Sequence, residues 1–174
     1  QKWLPGETVS LGIGQGYNNF TMLQMAHALA TLVNGGTRIE PRLALRLQDP
    51  LTQAQETPAR AAPVSLGFQA KNVEQVKNAM VGVTKEGSSR GVFVGAEYVS
   101  GGKTGTAQNR GHDHSVFMGF APMNNPKIAI AVYVENGGFG AVYGVPIGAL
   151  MMEQYLKGKL SPENEIRAEE YSNR

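Results

Sequence analysis

Between residues 127 and 135 the chain alternates without a break, with Ile128, Ile130, Val132 and Val134 on one side and Ala129, Ala131 and Tyr133 on the other. Successive side chains of a strand point to opposite faces, so a strand apolar on both faces has to lie between two covering layers. Two more strands precede it, over Lys103 to Arg110 and His114 to Ala121, and the turn Pro122-Met123-Asn124-Asn125-Pro126 joins the second to the third. Links this short predict an antiparallel meander.

Helices are expected to supply the layers. Thr21 with Gln24 is a capping-box pair, and the residues from Met22 to Val33 are apolar nearly all round until Asn34-Gly35-Gly36, which predicts a helix buried on every face. Val73, Val76, Met80 and Val83 recur at helical spacing and predict an amphipathic helix of about three turns. A last helix is expected from Val145, with Pro146 in its first turn, to Leu156, stopped near Gly158. Trp3 to Thr8 reads as a turn, and Gly12-Ile13-Gly14-Gln15-Gly16-Tyr17 as irregular. Arg38 to Leu47 has room for a short strand, Asp49 to Pro63 reads as an exposed loop, and Gly87 to Gly91 as a break. Beyond Ser161 a polar tail is expected to fray. The expected fold class is therefore α/β, an α+β sandwich: an antiparallel sheet with the Thr21–Val33 helix on one face and the Val145–Leu156 helix on the other.

Composition narrows the function. The 174 residues carry 16 Lys and Arg against 14 Asp and Glu, with three His and no Cys. Without a basic block there is no case for nucleic-acid binding, and without Cys there is neither a disulfide nor a thiolate site. No apolar run reaches the roughly 18 residues of a membrane span. A start at Gln1 and not at Met suggests a piece of a longer protein.

The densest chemical signal is Gly101-Gly102-Lys103-Thr104-Gly105-Thr106-Ala107-Gln108. Alternation sends Thr104 and Thr106 to one face and Lys103 to the other. On a sheet edge such a strand can take an extended peptide as an added strand, with Gly105 admitting its backbone. Two hydroxyls and an ammonium suit a terminal carboxylate. Alone, Lys-Thr-Gly is a weak motif.

Its company is specific. Together with Gly12 to Tyr17, Thr21-Met22-Leu23-Gln24-Met25-Ala26, Met118-Gly119-Phe120-Ala121-Pro122, Asn125-Pro126-Lys127 and Val134-Glu135-Asn136-Gly137-Gly138, it resembles the transpeptidase domain of class B penicillin-binding proteins. The resemblance runs over residues 1–157, leaving 158–174 as a tail. The form Gly-Ile-Gly-Gln-Gly-Tyr looks more like the penicillin-binding protein 2, cell-elongation branch than the division branch. Two departures stand out: Met22 where the family has Pro, and an extra Gly101, expected to loosen the approach to the motif.

What the resemblance implies is a serine acyl-transfer enzyme of the penicillin-binding and serine β-lactamase-like fold, incomplete in this chain. Its nucleophile motif Ser-x-x-Lys and its Ser-x-Asn motif are expected upstream of Gln1 and not in this chain, which alone is expected to be inactive. Lys103 is then a catalytic residue that donates to the Ser of the second motif. The Thr106 backbone N–H is an oxyanion donor, and Thr104, Gly105, Thr106 and Gln108 contact substrate. The implied partners are peptidoglycan stem peptides and β-lactams, the upstream part of the same protein, and in the full-length form a SEDS-type glycosyltransferase with elongation-complex proteins. The implied location is the periplasm, with an inner-membrane anchor outside this chain. No cofactor is implied. A serine β-lactamase-like hydrolase and a non-catalytic cell-wall peptide-binding module are the alternatives.

Other polar residues have simpler readings. His112, Asp113 and His114 lack a third partner for a metal ion and read as a polar loop. His27 is expected to be a hydrogen-bonded core residue, and Asn136-Gly137-Gly138 a turn near the mouth of the cleft.

Overall fold

The structure is a computed structural model that describes residues 3–173. In chain order the helices are α1 Pro5–Gly12, α2 Met22–Val33, α3 Ala70–Lys85, α4 Arg90–Phe93, α5 Gly144–Lys157 and α6 Pro162–Ser172. The strands are β1 Thr37–Arg38, β2 Leu47–Gln48, β3 Gln55–Glu56, β4 Val64–Ser65, β5 Gly101–Ala107, β6 His114–Ala121 and β7 Ile128–Val134. The main sheet runs β5-β6-β7 with both pairings antiparallel, the meander that the alternation predicts.

Register explains how the sheet is covered twice. Phe117 lies opposite Val132, Gly119 opposite Ile130 and Ala121 opposite Ile128 on one face, where they pack with Val145 and Met152 of α5. On the other face Phe120, opposite Ala129, packs with Leu29 and Val33 of α2. The two helices thus cover opposite faces, as expected. Phe117 is fully buried in a cradle of glycines. A Cβ at Gly102 would stand 2.5 Å from its ring, and one at Gly148 of α5 2.6 Å. Both are closer than any side chain could come, so the absence of a Cβ lets strand, ring and helix nest.

Several expectations need correction. Trp3 to Thr8 is not a turn. Pro5 opens α1 with its φ already helical, and the Glu7 carboxylate accepts the Leu4 backbone N–H at 2.7 Å. Helix α2 has the expected cap, with Thr21 and Gln24 each accepting the other's backbone N–H, but it is not buried all round. Leu23 is 65 % exposed, because only the Leu29 and Val33 side meets the sheet. Helix α3 is rotated from its expected stripe: Val73, Lys77, Val81 and Thr84 are buried, while Val76 is exposed. The Lys77 stem lies inward and its ammonium pairs with Glu74 at 2.8 Å. That rotation lets the Thr84 hydroxyl donate to the Ser100 carbonyl at 2.6 Å, joining α3 to the head of β5.

The region 37–66 holds two minimal ladders, β1 with β4 and β2 with β3, so part of the expected loop is a hairpin. The Gly87–Gly91 break contains the start of α4. Gly101 does not loosen its strand: it is buried, and a Cβ there would stand 2.5 Å from the Phe120 ring. The C-terminal segment does not fray but forms α6. Tyr171 donates to the Val142 carbonyl at 3.1 Å and meets Tyr143 edge-on at 5.8 Å, while Asn164 bonds Glu153 of α5. His27 is half-buried, with Nε2 2.8 Å from the Ile39 carbonyl oxygen, so its hydrogen bond is as expected.

Candidate active site

The site is built on the outer edge of β5. Among the described residues this strand pairs with β6 alone. Its head is covered by the end of α3, and the stretch from Thr104 to Ala107 is left half-exposed. Register puts Thr104 opposite Phe117 and Thr106 opposite Ser115, whereas Lys103 lies opposite Met118 on the other face, the predicted alternation. The Lys103 ammonium donates to the Thr104 carbonyl at 2.6 Å. A carbonyl held by an ammonium on its own edge strand points away from β6. Since the N–H and C=O of one residue share a side and the backbone repeats every two residues, the Thr106 N–H faces the same open edge.

Across from this edge lies the glycine-rich stretch. After α1 the chain turns at Gly14 and Gly16, which take φ of +84° and +69°, values that a side chain would strain. The Asn18 amide ties the turn down by donating to the carbonyls of Leu11 and Gln15. The Tyr17 hydroxyl donates to Glu7 at 2.6 Å, and this bond, with the Leu4 N–H, holds the Glu7 carboxyl below its ordinary range. Between this wall and β5 is a cleft of about 370 Å³, lined by Ile13, Asn18, Phe20, Met22 and Met25 against Lys103 to Ala107. Lys103 is its single charged side chain among the described residues. An apolar cleft holding one ammonium, the hydroxyls of Thr104, Thr106 and Tyr133, and an open strand edge favours an extended anionic ligand.

The back of β5 is braced by residues 136–144. Ser115, fully buried, donates to the Phe139 carbonyl at 3.0 Å and accepts the Gly144 N–H at 2.9 Å. Gly138 N–H bonds the Asp113 carbonyl, and Asn136 N–H bonds His114 Nδ1 at 2.9 Å. The brace brings Gly140 against the strand, where a Cβ would stand 2.5 Å from the carbonyl oxygens of Gly105 and Val116. The Asn136 turn exists, and the segment from Phe139 to Gly144 supports the Lys-Thr-Gly backbone from behind.

Of the residues singled out from sequence, Lys103, Thr104, Gly105 and Thr106 come together on the cleft, and Gln108 does not. It lies exposed past the end of β5 and outside the lining. One Ser-x-x-Lys spacing does occur in the chain, at Ser100-Gly101-Gly102-Lys103, contrary to the expectation that there is none. It cannot act as nucleophile and base. Ser100 is buried, whereas Lys103 is exposed and its ammonium is bonded to the Thr104 carbonyl. His112 and His114 hold no metal cluster: among the described residues no three His, Asp or Glu side chains gather as ligands. Sequence reading missed Ser88, whose Oγ is 3.1 Å from Thr104 Oγ1. No local pattern marks a contact across 16 residues. It also missed the Gly140 brace, for which the second Gly of Gly138-Phe139-Gly140 was a faint signal.

Comparison with known proteins gives the site its context. Residues 1–153 match the family described as penicillin binding protein transpeptidase domain. The chain is 33% identical to the peptidoglycan D,D-transpeptidase MrdA of Haemophilus influenzae over 91% of its own length, and it spans 27% of that relative. Its fold superposes on crystalline Pseudomonas aeruginosa PBP2 with a TM-score of 0.76 and 39% identity, over 94% of this chain and 36% of that one. Penicillin-binding protein A of Mycobacterium tuberculosis, solved as an imipenem acyl-enzyme complex, matches with a TM-score of 0.74 and 31% identity, over 84% of this chain and 33% of that one.

Proposed function

The chain belongs to the penicillin-binding protein transpeptidase family, and from that premise we propose that it forms the Lys-Thr-Gly wall of a peptidoglycan D,D-transpeptidase. The observation that carries this reading is the open edge of β5, with Lys103, Thr104 and Thr106 on one apolar cleft.

In this reading a stem peptide ending in D-alanyl-D-alanine lies along β5 as an added strand. The hydroxyls of Thr104 and Thr106 hold its terminal carboxylate, and Gly105 lets its backbone approach. The nucleophilic Ser and the Ser of the second motif belong to the part of the protein outside this chain. The Ser oxygen adds to the penultimate carbonyl, whose developing negative oxygen takes the Thr106 N–H. Loss of one such donor typically costs about 10²- to 10³-fold in turnover. The amide bond then breaks, D-alanine leaves with the proton on its nitrogen, and an ester to Ser remains. An amine from a second stem peptide attacks the ester, forms the cross-link and frees the Ser. Lys103 donates to the second-motif Ser and makes the cleft attractive to anions. A β-lactam enters by the same carboxylate contacts and stops at the ester. The acyl-enzyme of the mycobacterial relative supports this course.

The finer parts of the proposal rest on the resemblance: a cell-elongation role, a periplasmic site of action with an inner-membrane anchor, and work beside a glycosyltransferase. Among the described residues no helix is long and apolar enough to cross a membrane. The test is labelling of the complete protein by a fluorescent penicillin. Covalent labelling is expected, with loss in Lys103→Ala. In Thr104→Val/Thr106→Val the loss is expected for penicillins with a free carboxylate and not for their methyl esters, since each hydrogen bond to a charged group contributes roughly 1.5–3 kcal/mol. An unlabelled, folded complete protein overturns the reading.

A further inference from the structure

Among the described residues Thr104 is the one cleft hydroxyl with a side-chain hydrogen-bond partner from another element, and the backbone around that partner is tied to α3. Ser88 lies in the link between α3 and α4, with its Oγ 3.1 Å from Thr104 Oγ1. Its neighbours are fixed on both sides. Gly87 N–H bonds the Gly82 carbonyl at 2.9 Å, Ser89 N–H bonds the Val83 carbonyl at 3.2 Å, and Ser89 is 1 % exposed. A Cβ at Gly87 would stand 2.9 Å from Val83 Cα, so the link is packed directly onto the helix. Helix α3 is in turn tied to β5 through Thr84 and the Ser100 carbonyl, four residues before Thr104. Ser88 itself is exposed, and among the described residues its side chain hydrogen-bonds Thr104 alone.

Resting on the transpeptidase reading, we propose that Ser88 is a positioning residue that sets the hydroxyl of Thr104 for the carboxylate of the bound peptide or β-lactam. The pair of hydroxyls can be bonded in either direction. A carboxylate in the cleft has no proton to give, which forces one direction: Thr104 donates to the carboxylate and accepts from Ser88. Ser88 thereby removes the alternative in which Thr104 turns its proton elsewhere. A hydroxyl that accepts one bond is also a better donor for the next. The effect is confined to ligands that carry the negative charge, which makes Ser88 a determinant of selectivity for free acids over neutral analogues.

The experiment measures acylation rate constants of the complete protein, with a penicillin as free acid and as methyl ester. Ser88→Ala and Ser88→Gly are expected to slow acylation by the free acid by about 3- to 10-fold, the scale of one neutral hydrogen bond. The ester rate and the thermal midpoint stay unchanged, and Ser88→Thr restores the free-acid rate. Equal losses for acid and ester, or no loss for either, overturn the assignment while leaving the transpeptidase reading intact. If the unmodified protein is folded yet takes neither compound, the failure lies in that reading, and the Ser88 assignment falls with it.

Discussion

Gly140 meets Gly105 backbone to backbone: a Cβ on the first would lie 2.5 Å from the carbonyl oxygen of the second. The contact is held by the buried Ser115 hydroxyl, bonded to Phe139 and Gly144 on either side of Gly140. The Lys-Thr-Gly strand therefore has a fixed back as well as an open edge.

Gly140→Ala is expected to push β5 outward. Overpacking of this kind costs about 1–3 kcal/mol, and penicillin labelling of the complete protein should fall by more than the folded fraction does. Gly111→Ala, where nothing lies within 4 Å, is the control and should change neither. Thermal unfolding followed beside labelling checks both.

Gly105→Val acts on the other face. A Cβ at Gly105 would stand 3.3 Å from Val116 Cβ, close but not impossible, so the branched side chain is expected to fit by reaching into the cleft. The complete protein should fold and lose acylation, because the path proposed for the substrate backbone is filled. Circular dichroism with a labelling gel checks this, and normal labelling would be the contrary result.

The Glu7 carboxyl should titrate below its ordinary value of 4.5, chiefly through the Tyr17 hydroxyl and then through the Leu4 N–H. A carboxyl with a depressed folded pKa contributes stability that is present above the unfolded value and lost as pH falls through the folded one. The start of α1 and its tie to the glycine-rich stretch should therefore hold above the ordinary value of 4.5 and loosen at more acid pH. Carbon-13 titration of the Glu7 carboxyl should give a midpoint under 4.5, and Tyr17→Phe should raise it.

Residues 1–174 alone should take no covalent label from penicillin, because Ser100, the one Ser with Lys three residues later, is buried and the Lys103 ammonium is bonded to the Thr104 carbonyl. They should also be poorly soluble, since Leu23 and Phe20 are exposed and the outer edge of β7 is unpaired among the described residues. Adding the remainder of the transpeptidase domain as a second chain should restore solubility and labelling, with the label on the added chain. A labelled band on the isolated 18.6 kDa chain would be the contrary result.

The meander could be read from residues 101–135 because period-two alternation and short turns are local properties, and Lys103, Thr104 and Thr106 come from the same alternation. The helix stripe on α3 was misread because Val73, Val76, Met80 and Val83 satisfy the helical period as well as the buried set does. What decides between them is the distant Ser100 carbonyl that Thr84 must reach. Helix α6 was missed because its alternating charges describe its solvent side, whereas Tyr171 and Asn164 dock it on residues 142 and 153. The motif's continuation places Gln108 at the site, whereas in the structure β5 ends at Ala107 and Gln108 lies exposed beyond it, outside the cleft lining.

The glycine cradle around Phe117 bears on how this sequence can drift. Gly102 adjoins Lys103, Gly148 belongs to α5, and both are spaced by the same ring. A larger residue at either position meets atoms already in contact, and a smaller one at 117 leaves a void between strand and helix. Neither change is tolerable first, so the three positions are expected to vary as a linked set among descendants, through paired compensating replacements. The Lys-Thr-Gly strand is thus held still by neighbours that lie outside the cleft lining.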